Sequence, residues 1–217
     1  MAETEISIAL SGAQMKADFT SLPQSVGLVI FAHGSGSSRH SSRNRYVAQV
    51  MQAHGCATLL LDLLTPDEAE LDDTTREFRF NIPLLAERVV AAIDWVHENA
   101  AAKKSAPRIG LFGASTGAAA ALIAAAERAG DVAAVVSRGG RPDLATSALP
   151  RVRAPTLLIV GADDDACIPL NQNALAALGC EKRLELVAGA THLFEEAGTL
   201  EQAARLAADW FARCFTG

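Results

Sequence analysis

Six short apolar runs recur along the chain: VGLVIFA at 26–32, ATLLLDLL at 57–64, RIGLFG at 108–113, VAAVVS at 132–137, TLLIVG at 156–161 and KRLELVA at 182–188. A strand with one wet face alternates apolar and polar residues, whereas a strand covered on both faces reads as a continuous run. These runs therefore predict a parallel sheet buried beneath helices. Helical stretches separate them. One starts near Ser41 and Ser42 and ends at Gly55, with Tyr46, Val47, Val50 and Met51 at helical spacing; others cover 83–102, 117–129, 171–178 and 199–214. Ahead of the first run, EISIAL and MKADFTSLP do alternate, and SGAQ between them reads as a hairpin turn. The sum is eight strands in one mostly parallel, doubly wound sheet. With no repeat and no dividing linker, residues 1–217 are expected to form one domain.

Composition narrows the partners. The net charge of −6 argues against nucleic acid, because phosphate binding wants a basic face. The longest apolar run, Ala118 to Ala126, is far short of the roughly 20 residues that span a bilayer, and the acidic start MAETEISIAL lacks the basic region of a signal peptide. Cys56, Cys167, Cys180 and Cys214 are scattered and form no C-x-x-C pair, as expected of buried thiols rather than disulfides or metal ligands. The expectation is a cytoplasmic protein that acts on a small molecule, with no nucleic-acid or membrane partner.

Ligands of such sheets meet the loops at the carboxyl ends of the strands. GASTG, residues 113–117, lies where RIGLF ends and AAAALIAAAERAG begins. The pattern G-x-S-x-G requires a strand before it and a helix after it, and both are in place. In so sharp a turn a Cβ would strike neighbouring backbone, hence the glycines. The turn lifts the Ser115 hydroxyl above the sheet edge. The alternative is a tight turn in which Ser115 merely caps the helix. A nucleophilic serine needs a base, and the base needs a carboxylate to orient it. ADDDACIP follows the strand TLLIVG, and THLFEEAG follows the last strand, which sets His192 in a suitable loop. His54 and His97 lie within helices, His40 in a loop, and His33 just past the third strand, where a structural role is expected.

With FAHGSGSSRHSSRNR after the third strand, GASTG, GADDDACIP and GATHLFEE, the chain resembles the α/β-hydrolases, in particular the small, nearly capless kind related to dienelactone hydrolases. The resemblance covers almost the whole chain. It implies an α/β-hydrolase fold with little or no cap, with Ser115 as nucleophile, His192 as general base and then acid, and one of Asp163, Asp164 and Asp165 as the triad acid. Hydrolases of this kind often carry D-x-x-V/I-P after the seventh strand. Asp165-Ala-Cys-Ile-Pro169 has that spacing, which makes Asp165 the expected acid. By the same analogy the N–H of Thr116 and the N–H of Ser35, in AHGSG at 32–36, form the oxyanion hole. The elbow holds a serine where dienelactone hydrolase itself has a cysteine. The implied activity is hydrolysis of a carboxylic ester or related acyl bond of a small soluble substrate through an acyl-enzyme, with no metal or organic cofactor. A thioesterase or perhydrolase would use the same machinery. Two rivals from other classes remain: a ligand-binding protein of this fold without turnover, and a partner of another enzyme, since relatives appear fused to phosphoribosyltransferases.

Two further segments face the same sheet edge. TPDEAELDDTTREFRF, at 65–80, carries six acidic residues and reads as a solvated acidic loop, with Phe78 or Phe80 as the residues that could reach an acyl pocket. Arginines crowd two loops: Arg39, Arg43 and Arg45 after the third strand, and Arg138 and Arg141 after the sixth. Arginine in the first turn of a helix has the wrong sign for the helix dipole. Two readings stay open. They pair with Asp163, Asp164 or segment 65–80, or else Arg39 or Arg43 joins Arg138 or Arg141 in binding a carboxylate or phosphate on the substrate.

Overall fold

The computed structural model describes residues 2–105 and 107–217. Strand β1 (Ala2–Leu10) pairs antiparallel with β2 (Ala13–Ser21), the hairpin that the alternation predicts. Strands β3 (Gly27–Ala32), β4 (Cys56–Leu61), β5 (Ile109–Ala114), β6 (Val132–Arg138), β7 (Thr156–Gly161) and β8 (Lys182–Val187) follow. They join in one eight-stranded sheet of order β1-β2-β4-β3-β5-β6-β7-β8, in which β2 meets β4 antiparallel and every pairing from β4 to β8 is parallel. Every residue of β3, β4, β5 and β7 is buried, as a doubly covered strand requires. Strand β8 differs: it lies at the sheet edge and is largely open to water, which is why KRLELVA carries charges.

Helices cover both faces. On one, α3 (Ile82–Glu98), α5 (Thr116–Glu127) and α6 (Cys167–Ala177) pack through Leu85, Val89, Ile93, Leu122 and Ala174 against Leu28, Ile30 and Leu111. On the other, α1 (Ser42–Ala53) and α7 (Thr199–Thr216) pack through Val47, Met51, Phe211 and Phe215 against Val29, Phe31 and Phe112. The rings of Phe211 and Phe215 occupy the space that side chains at Gly110 and Gly27 would need. The strands are bare there so that α7 can sit close.

Ahead of β5, two elements depart from the sequence reading. The predicted helix 83–102 is two helices, α3 and α4 (Ala100–Ser105), because the Asn99 side chain turns to accept from the N–H groups of Ala101 and Ala102. Segment 65–80 is largely solvated, as expected, but it is helical rather than a loop. Pro66–Thr75 form α2, started by a capping box in which the Thr65 hydroxyl accepts from Glu68 N–H while the Glu68 carboxylate accepts from Thr65 N–H. Asp72 on α2 is buried and accepts from Arg79 Nε at 2.5 Å and from the N–H groups of Phe78 and Arg79. Those three bonds hold its carboxyl below the usual range against the opposing effect of burial.

Candidate active site

Ser115 follows the last residue of β5 with φ 51° and ψ −121°, a conformation that L side chains seldom adopt. The strain is held from several sides. Its N–H donates to Arg138 C=O at 3.4 Å, and its own C=O accepts from Ala118 and Arg141 N–H groups, each at 3.1 Å. A Cβ at Gly117 would overlap the carbonyl oxygens of Ala32 and His33, and one at Gly113 would overlap Ala118 backbone. The Ser115 side chain makes no capping hydrogen bond to α5, so its hydroxyl does not serve the helix.

His192 lies in the loop after β8. Its Nδ1–H donates to Asp164 Oδ2 at 2.8 Å, because an ionised carboxylate can only accept, and this leaves Nε2 free to receive a proton. The structure therefore pairs His192 with Asp164 and not with the expected Asp165. Asp164 is only 8% exposed, and its other oxygen accepts from Cys167 N–H at 3.3 Å, whereas Asp165 is exposed and makes no hydrogen bond or ion pair among the described residues. The physical reason is that α6 begins at Cys167, earlier than the predicted 171. The tight turn 163–166 then points Asp164 inward and Asp165 to water. Asp163 is exposed too. The His192 loop is braced by Glu196, which accepts from the Thr191 hydroxyl at 2.5 Å and from Thr191 N–H at 3.1 Å. The Thr191 hydroxyl, first among the causes, holds the Glu196 carboxyl below its ordinary range.

The loop after β3 lies directly on Ser115: a Cβ on Gly34 would stand 3.0 Å from Ser115 Cβ. The N–H groups of Ser35 and Thr116 donate to no acceptor among the described residues. His33 fixes this loop. Leu63 N–H donates to its Nε2 at 3.0 Å, so Nδ1–H donates to Gly34 C=O at 2.8 Å. Burial lowers its pKa, and it stands as a neutral structural histidine.

Ser115, His192, Gly34, Ser35, Arg43, Asn44 and Arg138 line one cavity of about 250 Å³. A larger one of about 390 Å³ adjoins it across Gly34, Ser35, Ser37 and Ser41 and reaches Leu63, Leu64, Leu85 and the Asp72–Arg79 pair. Neither Phe78 nor Phe80 lines either cavity, and Phe80 stands out in solvent. The arginines divide sharply. Arg39 is taken up by Asp62, by Asp18 at 3.1 Å and by Glu5 at 2.6 Å, and Arg141 by Asp143 at 2.8 Å; neither lines the cavity of Ser115. The structure thus brings neither of these two expected substrate-binding residues to Ser115. None of the five pairs with Asp163, Asp164 or segment 65–80; Arg45 pairs with Glu3 and Asp18. Arg43 pairs with Glu195 at the rim, and Arg138 has no carboxylate partner among the described residues.

Asp164, Cys167 and His192 offer donor atoms within 4.8 Å of one another, a cluster that geometry alone would allow on a metal ion. Burial, then Asp164, pushes the Cys167 thiol up to about 12. Its sulfur rests 3.5 Å from His192 Nδ1, already given to Asp164.

Among the described residues no helix is long and apolar enough to cross a membrane. The protein is similar to a dienelactone hydrolase from Anabaena variabilis, with 53% identity, 98% of this chain and 97% of that chain covered, and a TM-score of 0.94. Est1E from Butyrivibrio proteoclasticus shares the α/β-hydrolase fold, with a TM-score of 0.82 over 98% of this chain and 99% of the other at 14% identity. A protein of Mycobacterium tuberculosis bearing a phosphoribosyl transferase name is 56% identical over 185 residues, which are 85% of this chain and 40% of that protein. The chain thus spans 40% of the length of this curated relative. Residues 20–215 match the model of the dienelactone hydrolase family, and the chain belongs to that family.

Proposed function

We propose that this hydrolase cleaves a carboxylic ester or related acyl bond of a small substrate through an acyl-enzyme on Ser115. The observation that carries the reading is the His192–Asp164 pair, joined at 2.8 Å, whose His192 lines one cavity with the strained Ser115. The Ser115 hydroxyl attacks the acyl carbon while His192 Nε2 takes its proton. Asp164 balances the imidazolium, and the N–H groups of Ser35 and Thr116 receive the charge on the tetrahedral oxygen. Collapse expels the alcohol, which takes the proton back from His192. Water then repeats the sequence on the acyl-enzyme, with His192 again as base, and releases the acid.

Cavities of about 250 and 390 Å³ support small substrates rather than long-chain ones. The phosphoribosyl transferase name of the longer mycobacterial relative is not carried to this chain. The test is hydrolysis of a short-chain aryl ester by wild type and Ser115→Ala, beside labelling with a fluorophosphonate probe. We expect turnover and labelling in the wild type and loss of both in the variant. Equal activity in pure Ser115→Ala would overturn the triad. No labelling of the wild type would favour a ligand-binding protein without turnover.

A further inference from the structure

Arg138 breaks the rule that a buried charge is paired. It ends β6 only 7% exposed, and among the described residues its buried Nη1 has no hydrogen-bond partner and no carboxylate pairs with it. It leans on two aromatic rings, with its guanidinium carbon 5.9 Å from the centre of Phe112 and 5.8 Å from that of Phe194. Both lie near the outer limit of a cation–π contact and supply no acceptor for the N–H groups. Burial first, then the neighbouring Arg43, pushes its pKa down to about 10, which still leaves it charged at neutral pH.

The surroundings sharpen the anomaly. The chain carries a net charge of −6, yet the cavity holding Ser115 has two arginines on its wall and not one aspartate or glutamate. Glu195 reaches Arg43 only from the rim, and Asp164 is engaged by His192. Asn44, 3% exposed, lines the same wall with its side-chain carbonyl oxygen also unpartnered. A methionine or leucine would fill the space on the two rings with no charge to bury. A guanidinium persists there at a loss to the fold, which makes sense where its partner arrives from outside.

We propose that Arg138, with Arg43 beside it, seats an anionic group of the substrate, a carboxylate or a phosphate, in the cavity of Ser115. Only the placement of that group next to the scissile bond rests on the serine-hydrolase reading. The planar guanidinium fork suits both anions, and the cavity of about 250 Å³ restricts the substrate to a small one.

Three aryl esters matched in acyl length and ending in a methyl group, a carboxylate or a phosphate are compared by kcat/KM on wild type, Arg138→Met, Arg138→Lys and the exposed control Arg205→Gln. The wild type should prefer one anionic ester over the neutral one by about tenfold to a hundredfold, and which anion wins identifies the source. That ratio should fall to near one in Arg138→Met, recover in part in Arg138→Lys and persist in Arg205→Gln. Thermal midpoints give a reading independent of turnover. Without added anion, Arg138→Met should melt at or above the wild type, since it loses an unpaired buried charge. Inorganic phosphate or acetate should raise the midpoint of the wild type and of Ser115→Ala, but not of Arg138→Met. If no ester is turned over, the hydrolase reading fails alone and the midpoints decide the anion seat. A ratio unmoved by Arg138→Met, a marked drop in its midpoint without anion, or an equal anion shift in all variants would overturn the proposal.

Discussion

Replacing Asp164 by asparagine should cripple the enzyme while leaving its shape intact. The amide has the size of the carboxylate and can still accept from Cys167 N–H, so the turn before α6 keeps its bond. What changes is the tautomer. An amide that donates to Nδ1 moves the histidine proton to Nε2, the atom that must receive the Ser115 proton. The negative charge 2.8 Å from Nδ1 is lost as well. Coulomb's law at an effective dielectric constant near 20 gives about 6 kcal/mol for such a pair, which sets a ceiling. His192 is about one-third open to solvent, which screens part of it. Between 3 and 4 decades in kcat is the expected loss, or roughly 4–5.5 kcal/mol at about 1.4 kcal/mol per decade. Asp165→Asn, at the very next residue but facing water, should stay within a factor of about two. The assay is kcat on a short-chain aryl ester, with the thermal midpoint as control. An Asp164→Asn enzyme within tenfold of wild type, or an Asp165→Asn enzyme equally impaired, would refute the assignment.

Two other perturbations test the parts around the triad. Neutral His33 is favoured by the fold and its pKa lies below 6.5, so as pH falls below 6.5 the unfolded chain gains a proton that the native one refuses. Stability from this residue is complete above pH 6.5 and falls below it, by at most about 1.4 kcal/mol per pH unit; denaturant midpoints at pH 7 and 5 should differ less in His33→Gln than in wild type. Gly117→Ala would drive a methyl group into Ala32 and His33 backbone, and should lose soluble yield or at least about 1–3 kcal/mol. Gly130→Ala, with open space around it, should keep both yield and midpoint near wild type.

The sequence was most informative where its signals are local. Continuous apolar runs marked the buried strands, and the spacing of glycines around Ser115 marked the elbow, because both follow from what the neighbouring few residues must touch. The capping box of α2 was equally legible in Thr65-Pro-Asp-Glu68, but six acidic residues drew attention to solvation instead. Other features turn on distant partners. Arg39 meets Glu5, Asp18 and Asp62, residues brought together only when β1, β2 and β4 line up. The choice between Asp164 and Asp165 hangs on where α6 starts, and a shift of one residue in a turn reverses which side chain faces inward. That Arg138 lacks a partner is a property of everything around it, so no local pattern could have revealed it.

The glycines at 27 and 110, with the rings of Phe211 and Phe215 seated on them, also bear on how the protein is made. The strand that leads into Ser115 leaves the ribosome long before the helix that covers it. Until α7 emerges, one face of β3 and β5 has neither its own side chains at those positions nor the borrowed ones. A ribosome-bound chain halted before α7 should therefore hold an open apolar sheet that chaperones recognise, and the slow step of folding should be the docking of that late helix onto the centre of the sheet.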